Sequence, residues 1–121
     1  QRQELDFARK VSQLELDLAA LEMTELRTLA GEQAGRGPGP ETSILKIKGT
    51  VIMQELRDLA RRALGPMAAP FPGPATEGNL TFGPPDSAHN AARYFNGRKT
   101  SIYGGSNEIQ RNILTKTMLE L

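Results

Sequence analysis

The chain has no cysteine and no tryptophan, and only 5% of its 121 residues are aromatic. Without cysteine it can form no disulfide, no thiolate zinc site and no cysteine nucleophile. The scarcity of aromatic rings weakens any nucleic-acid surface that depends on base stacking. Charges of the two signs nearly balance, with 15 Lys and Arg against 14 Asp and Glu. The composition therefore gives no reason to expect nucleic acid or an anionic membrane as a partner.

Long hydrophobic runs are also lacking. No apolar segment approaches the roughly 18 to 20 residues of a membrane-spanning helix, and the first residues lack the apolar core of a signal peptide. We therefore expect a soluble, cytoplasmic protein. The chain begins at Gln1 rather than at Met and enters a helical pattern at once. From this start we expect it to be a piece of a longer polypeptide, and its length suits one domain or part of a larger one.

Apolar residues at helical spacing predict a first helix with two adjacent apolar rows, and hence a wide buried face. Gly31 marks the expected end of this helix, and the Gly- and Pro-rich stretch from Gly31 to Pro40 predicts a loop. One row consists of Phe7, Val11, Leu14, Leu18 and Leu21, and the other of Leu16, Ala19, Met23, Leu26 and Ala30.

The segment from Pro40 to Leu64 allows two interpretations. The alternation in 44–48 is typical of a strand, whereas helical spacing continues over the whole segment to a stop at Gly65-Pro66. Its length and the Pro40-Glu41 start favour a helix. Gly49 in its interior costs about 1 kcal/mol relative to alanine, which is tolerable where another helix must approach closely.

Residues 65–85 contain most of the eight prolines, so we expect no regular element there, but either an ordered lobe or a mobile loop. Asp86 or Ser87 is a candidate cap for a short helix that the Gly104-Gly105 pair interrupts. The positions expected to be apolar contacts of this helix are Ala88, Ala91, Ala92, Phe95 and Ile102.

A last helix is predicted from Ser106 as its N-cap, with Glu108 in the first turn where the helix dipole favours a carboxylate. Its expected buried side consists of Ile109, Ile113, Leu114, Met118 and Leu121. With no internal repeat, the fold class predicted is all-α: an antiparallel up-and-down bundle of about four helices with a long Pro/Gly-rich loop.

The Gly104-Gly105 pair opens directly onto this last helix. Two residues without a Cβ let another molecule approach the backbone, and the free N–H groups of a first helical turn attract anionic oxygens. A cofactor contact is one interpretation of this pattern, but Gly pairs between helices are more often turns. The residues by themselves leave both open.

The segment from Tyr103 to Leu114, Tyr-Gly-Gly-Ser-Asn-Glu-Ile-Gln-Arg-Asn-Ile-Leu, resembles the C-terminal signature of the acyl-CoA dehydrogenases. The stretches 93–100, 43–49 and 21–27 are similar to bacterial members of the same family. The resemblance covers residues 1–121 and implies most of the C-terminal helical domain. It also implies that the first helix of that domain, the N-terminal helical domain and the middle β domain are not part of the chain.

The resemblance implies a parent flavoenzyme that introduces an α,β double bond into an acyl-CoA thioester, with FAD as cofactor and an electron-transfer flavoprotein as acceptor. It also implies a homo- or heterotetramer. Gly105 is expected against the thioester, and Ser106, Asn107 and Glu108 against the FAD. Gly104 occupies the position where many members have the Glu base, so no catalytic residue is assigned. Many members have Gln where this chain has Glu108, whose carboxylate would repel a diphosphate.

Several other candidates have simpler explanations. His89, the only histidine, has no metal-ligand or catalytic pattern around it, so a surface or capping role is favoured and no metal site is predicted. Arg57, Arg61 and Arg62 are interpreted as a solvated helix face, with contact to a CoA phosphate as an alternative. The alternatives to an active dehydrogenase are a non-enzymatic helical assembly module and the base-less subunit of a heteromeric dehydrogenase. The methionines Met23, Met53, Met67 and Met118 are expected in the core.

Overall fold

The computed structural model describes residues 2–37, 39–69 and 83–119. In these ranges the chain forms four α-helices and no strand, which confirms the all-α fold class. The strand interpretation of 44–48 is wrong, because these residues lie inside the second helix. The helices are α1 (Arg2–Gln33), α2 (Glu41–Leu64), α3 (Asn90–Gly97) and α4 (Asn107–Leu119).

Helices α1 and α2 form an antiparallel hairpin. At one end of the hairpin Arg62 Nη2 lies 3.3 Å from Asp6 Oδ2, so the end of α2 meets the start of α1. The core of the hairpin consists of Leu14, Ile52 and Leu59, which are each at most 8% exposed. A Cβ on Gly49 would lie 3.8 Å from Leu21, an ordinary packing distance. Helix α1 therefore lies close to Gly49, as expected, but the space beside Gly49 would accept a Cβ.

Helix α2 is the central element, because α3 and α4 also pack on it. Gln54 of α2 donates a hydrogen bond of 3.2 Å to the Arg98 carbonyl after α3. Ser43, near the start of α2, is bonded to Gln110 of α4. The contact residues on α2 run backwards, from Gln54 to Ser43, while their partners run forwards along the chain, from Arg98 to Gln110. Helices α3 and α4 therefore both run antiparallel to α2.

Helices α1 and α2 both end near the glycines that predict their ends. Helix α1 continues through Gly31, which is buried, and ends at Gln33. The Arg36 N–H then donates to the Gly31 carbonyl at 3.0 Å, after Gly35 has taken a positive φ of 79°. Helix α2 ends as predicted at Gly65, whose φ of 55° is in the left-handed region.

The prediction of no regular element in 65–85 is wrong at both margins. Short 3₁₀ helices form at Gly65–Ala68 and Pro85–His89, and Ala68 is 2% exposed. Pro66 and Pro85 lie within the first two positions of these helices, where a missing N–H needs no partner, so they suit a helical start. Residues 70–82, to which the lobe and loop alternatives apply, lie outside the described ranges.

The second 3₁₀ helix also changes where α3 begins. Helix α3 starts at Asn90, and the preceding His89 makes no capping hydrogen bond with its side chain. Ser87 is buried and its hydroxyl donates to the Pro84 carbonyl at 2.6 Å, which stabilises the 3₁₀ turn. The predicted cap of α3 at Asp86 or Ser87 is therefore wrong, because the chain turns once before the α-helix begins.

Several apolar faces predicted to be buried are exposed. In α1 the first predicted row largely packs on α2, with Leu14 buried and Phe7, Val11 and Leu21 partly buried against the core. The second row is exposed at Leu16, Met23 and Leu26, because one neighbouring helix covers only one side of α1. The prediction of a buried side of α4 is also wrong for Ile109, Ile113 and Met118, while Leu114 is half-buried and Leu121 lies outside the described ranges. Phe95 and Ile102 are exposed as well, whereas Ala91 is buried. The methionines predicted in the core, Met23, Met53, Met67 and Met118, are 40% or more exposed.

Candidate functional site

The turn between the 3₁₀ helix Arg98–Ser101 and α4 contains two consecutive glycines in the left-handed region. Gly104 has a φ of 69° and Gly105 a φ of 83°, conformations that residues with a side chain adopt only with strain. A Cβ on Gly104 would meet no atom within 4 Å. A Cβ on Gly105 would lie 2.8 Å from Gln110 Nε2, so that side of the turn is already filled.

Ser106 caps α4, as the sequence predicts. Its hydroxyl oxygen accepts a hydrogen bond of 3.4 Å from the backbone N–H of Ile109, and its carbonyl accepts one of 2.9 Å from Gln110. The cap satisfies one of the donors that a helix N-terminus leaves free. The glycine turn thus opens directly onto a capped helix start, where the helix dipole is positive.

Asn107 points into the domain and is 6% exposed. Its Oδ1 accepts a hydrogen bond of 2.8 Å from Lys46 Nζ, and its Nδ2 donates one of 3.1 Å to the Thr50 hydroxyl. These contacts fasten the start of α4 to the middle of α2. A flavin contact made by the Asn107 side chain would have to use amide atoms that already take part in these hydrogen bonds.

Glu108 lies at the same helix start but faces outward, with 77% of its side chain exposed. Hydrogen bonds from its own backbone N–H and from Ser106, together with the positive charges of Arg111 and Lys46, lower the pKa of its carboxyl. The carboxylate is therefore ionised at neutral pH. Its nearest cation is Arg111, with Nη1 3.9 Å from Oε1. Such a charge suits a ribose or an adenine edge and repels a diphosphate.

A groove of about 440 Å³ runs between α2 and the turn. Its walls are mostly apolar, and both Gly49 and Gly104 border it, so the backbone is accessible from the groove. The remaining lining residues are Leu45, Lys46, Thr50, Met53, Thr100 and Tyr103.

The contribution of α2 to this site is absent from the sequence predictions. Ser43, Lys46 and Thr50 all contact α4, and all three are polar residues on one face of a helix. Their spacing of three and four is the signal that could have indicated them, because such residues share a helix face. It is hidden by the strand-like alternation of the same segment.

The other candidates lie elsewhere. His89 is exposed next to the start of α3. Arg61 and Arg62 are exposed, as the solvated-face interpretation predicts, and both make surface contacts: Arg62 pairs with Asp6, and Arg61 pairs with Asp58 at 2.9 Å and lies over the Tyr94 ring at 5.1 Å. The hydrogen bond to Asp58 raises the pKa of Arg61. Within the described ranges no group of three His, Asp or Glu residues could hold a metal ion.

The fold and this turn define a class: an all-α domain in which one central helix supports a glycine turn at a helix N-terminus. The family model described as "Acyl-CoA dehydrogenase, C-terminal domain" matches residues 5–119. The chain therefore belongs to this family, as the signature around Tyr103–Leu114 indicates. Neither the curated proteins nor the solved structures compared with the chain give a significant match. In the described part of the chain no helix is long and apolar enough to cross a membrane.

Proposed function

We propose that the chain is the C-terminal domain of an FAD-dependent acyl-CoA dehydrogenase, an oxidoreductase of lipid metabolism that forms an α,β double bond in an acyl-CoA thioester. The observation that carries the proposal is the Gly104-Gly105 turn, with two positive φ angles, opening onto the capped N-terminus of α4. Backbone that can be approached closely beside free N–H donors suits the polar oxygens of a flavin and a thioester.

In this proposal Gly105 contacts the thioester, and Ser106, Asn107 and Glu108 contact the FAD. The donors of the helix start fit a flavin, which would supply the hydride acceptor when bound. The ionised Glu108 fits only the ribose or adenine part of the cofactor. Gly104 cannot accept a proton, so the base that removes the substrate α-proton comes from outside residues 1–121 or from another subunit.

The proposal extends to the rest of the protein. The parent would supply the N-terminal helical domain, the middle β domain and the first helix of this domain, and would work as a cytoplasmic homo- or heterotetramer. It would pass electrons to an electron-transfer flavoprotein. These statements rest on the family resemblance. By themselves residues 1–121 are expected to have no dehydrogenase activity, since they lack both a base and the β domain that would cover the flavin.

The test is the visible spectrum of the purified full-length protein. We expect oxidised-flavin absorbance near one flavin per subunit and bleaching of that absorbance on anaerobic addition of an acyl-CoA. The isolated chain with added FAD and acyl-CoA should not reduce an artificial acceptor above a buffer control. A colourless full-length protein without acyl-CoA-dependent reduction would reject the proposal.

Gly104→Glu in the full-length protein locates the base. If the native base lies elsewhere in the protein, the new carboxylate adds little or disturbs the site. If the chain comes from a subunit without a base, the substitution can create activity that the natural subunit lacks. The two outcomes separate an active dehydrogenase from the base-less subunit of a heteromeric one.

A non-enzymatic assembly module is the second candidate, and the exposed apolar side chains of α1 and α4 favour it. In that case the glycine turn is only a connection, and no flavin is bound. The same absorbance measurement decides between the two candidates.

A further inference from the structure

A line of polar contacts runs from α2 through α4 to the glycine turn. Ser43 of α2 is 4% exposed, and its hydroxyl donates a hydrogen bond of 2.7 Å to Gln110 Oε1. The opposite end of the same amide, Gln110 Nε2, lies 3.5 Å from the Gly104 carbonyl and donates to it. One side chain therefore links α2 to the turn.

The orientation of the Gln110 amide follows from its two neighbours. The Gly104 carbonyl is an acceptor only, so it requires the NH₂ end, and this leaves Oε1 facing the Ser43 hydroxyl. Because a buried polar group without a partner is costly, Ser43 and Gln110 stabilise each other in this arrangement.

Gln110 also fills the space beside Gly105, whose φ of 83° already favours glycine. Its Nε2 lies 2.8 Å from the position of a Cβ on Gly105, closer than packed atoms approach. A side chain there would displace the amide and break its link to Gly104. The same amide therefore occupies the space under Gly105 and is bonded to Gly104.

The glycine turn has no side chain at either glycine, so those two residues can contribute only backbone atoms to a site. The direction of these backbone N–H and C=O groups depends on the contacts that fix the backbone dihedral angles of the turn. The turn is exposed at Gly104. We propose that Gln110, anchored by Ser43, is a positioning residue that holds the Gly104-Gly105 backbone in the conformation that receives the flavin and the thioester. This inference rests on the proposed function for the identity of the ligands, but not for the linkage itself.

The test uses Gln110→Met in the full-length protein, because methionine keeps the length of the side chain and removes both hydrogen bonds. Ser43→Ala is the second variant, since it removes the anchor and leaves Gln110 in place. Lys116→Met is the matched control: it makes a similar change at an exposed position of α4. Measured quantities are kcat, KM, flavin per subunit, melting temperature and hydrogen exchange of the backbone amides in 102–106.

We expect Gln110→Met to lower kcat by about 100-fold, the effect of displacing a site by about 1 Å, with a smaller change in KM. Amide exchange in 102–106 should become roughly fivefold to tenfold faster, because a hydrogen bond that restrains the turn is lost. Ser43→Ala should change both quantities in the same direction, and Lys116→Met neither.

Unchanged amide exchange in 102–106 in both variants would overturn the inference. So would a variant that loses melting temperature while kcat per bound flavin stays within about twofold of the natural protein, since a purely structural role predicts that result. A natural protein without flavin or acyl-CoA turnover would reject the proposed function instead. In that case the exchange measurement still decides whether Gln110 holds the turn.

Discussion

Gly104 and Gly105 are neighbours with similar φ angles and different surroundings. Both conformations strain a residue with a side chain, but only Gly105 has an atom of another residue in the space of its missing Cβ. Gly35 offers the comparison, because its φ of 79° is similar and no atom lies within 4 Å of its Cβ position. Conformational strain and local crowding can therefore be separated within this one chain.

Gly105→Val should reduce flavin retention or acyl-CoA turnover in the full-length protein far more than it lowers stability. The strain itself costs about 1 to 3 kcal/mol, and the displaced Gln110 amide disturbs the turn in addition. Gly35→Ala should show the loss of stability alone. Melting temperature, flavin per subunit and turnover are measured on one preparation. If the Gly105 variant keeps natural flavin content and turnover per folded molecule, the ligand contact assigned to this turn is wrong.

Glu108 gives the domain a pH dependence of known sign. Because its folded-state pKa is lowered from 4.5, its carboxylate stabilises the domain at neutral pH, and this contribution disappears as the pH falls through the lowered pKa. Glu108→Gln should therefore melt at a slightly lower temperature than the natural chain at pH 7, with the difference shrinking below pH 4.5. Melting curves of both proteins across this range check it. A difference that persists unchanged in acid would mean that the carboxylate charge is not its source.

At the scale of elements, α2 and α4 are joined by the contact of Lys46 with Asn107. The Lys46 ammonium lies close to the N-terminus of α4, where the helix dipole disfavours a positive charge. The hydrogen bond from Lys46 to Asn107 offsets this repulsion. Thr50 completes the arrangement by accepting from the Asn107 amide and donating to the Ile47 carbonyl at 2.9 Å.

Asn107→Ala should destabilise the domain by about 1.5 to 3 kcal/mol, the range for a hydrogen bond to a charged group. Lys46→Met keeps the aliphatic stem and removes the charge. The double variant should lose less than the sum of the two single losses, with a coupling of at least about 0.5 kcal/mol. Urea unfolding measures all four proteins, and Lys48→Met, an exposed lysine on the same helix, is the control. Additive losses would show that the two side chains do not interact in solution.

The elements were largely predictable from the sequence, and their packing was not. Helical spacing and the stop at Gly65 placed α2 correctly, and Ser106 correctly predicted the start of α4, because these signals are local. The start of α3 was wrong because a 3₁₀ turn over Pro85–His89 precedes it. The spacing of Ser43 and Lys46 indicates a shared polar face of α2, but not their contacts, since these depend on which face of α2 receives α4. Apolar spacing likewise indicates a helix face without indicating what covers it.

For the whole molecule, the exposed apolar side chains of α1 have the main consequence. Leu16, Met23 and Leu26 are each more than half exposed. Contiguous apolar surface of this kind is typical of faces that a further helix or subunit covers. The proposed loss of the first helix of the domain and the proposed tetramer both account for it.

We therefore expect the chain to associate at micromolar concentration in sedimentation experiments. Replacing Met23 and Leu26 by Lys should shift the chain towards a monomer, because it places charge on the apolar face. Glu25→Lys, which changes charge at an exposed neighbouring position without removing an apolar side chain, is the control. A natural chain that sediments as a clean monomer at high micromolar concentration contradicts the prediction.

The central position of α2 also sets an order in which the domain can assemble. Helices α1 and α2 are joined by a short connection, so their hairpin closes at a small cost in chain entropy. The contacts of α3 and α4 with α2 span 33 to 67 residues of sequence, and their closure carries a larger entropic cost. Because Gln110 and Asn107 contact α2, we expect the glycine turn to reach its final geometry only in this late step. During synthesis, a chain that has folded its first hairpin still lacks the surface to which a cofactor would bind.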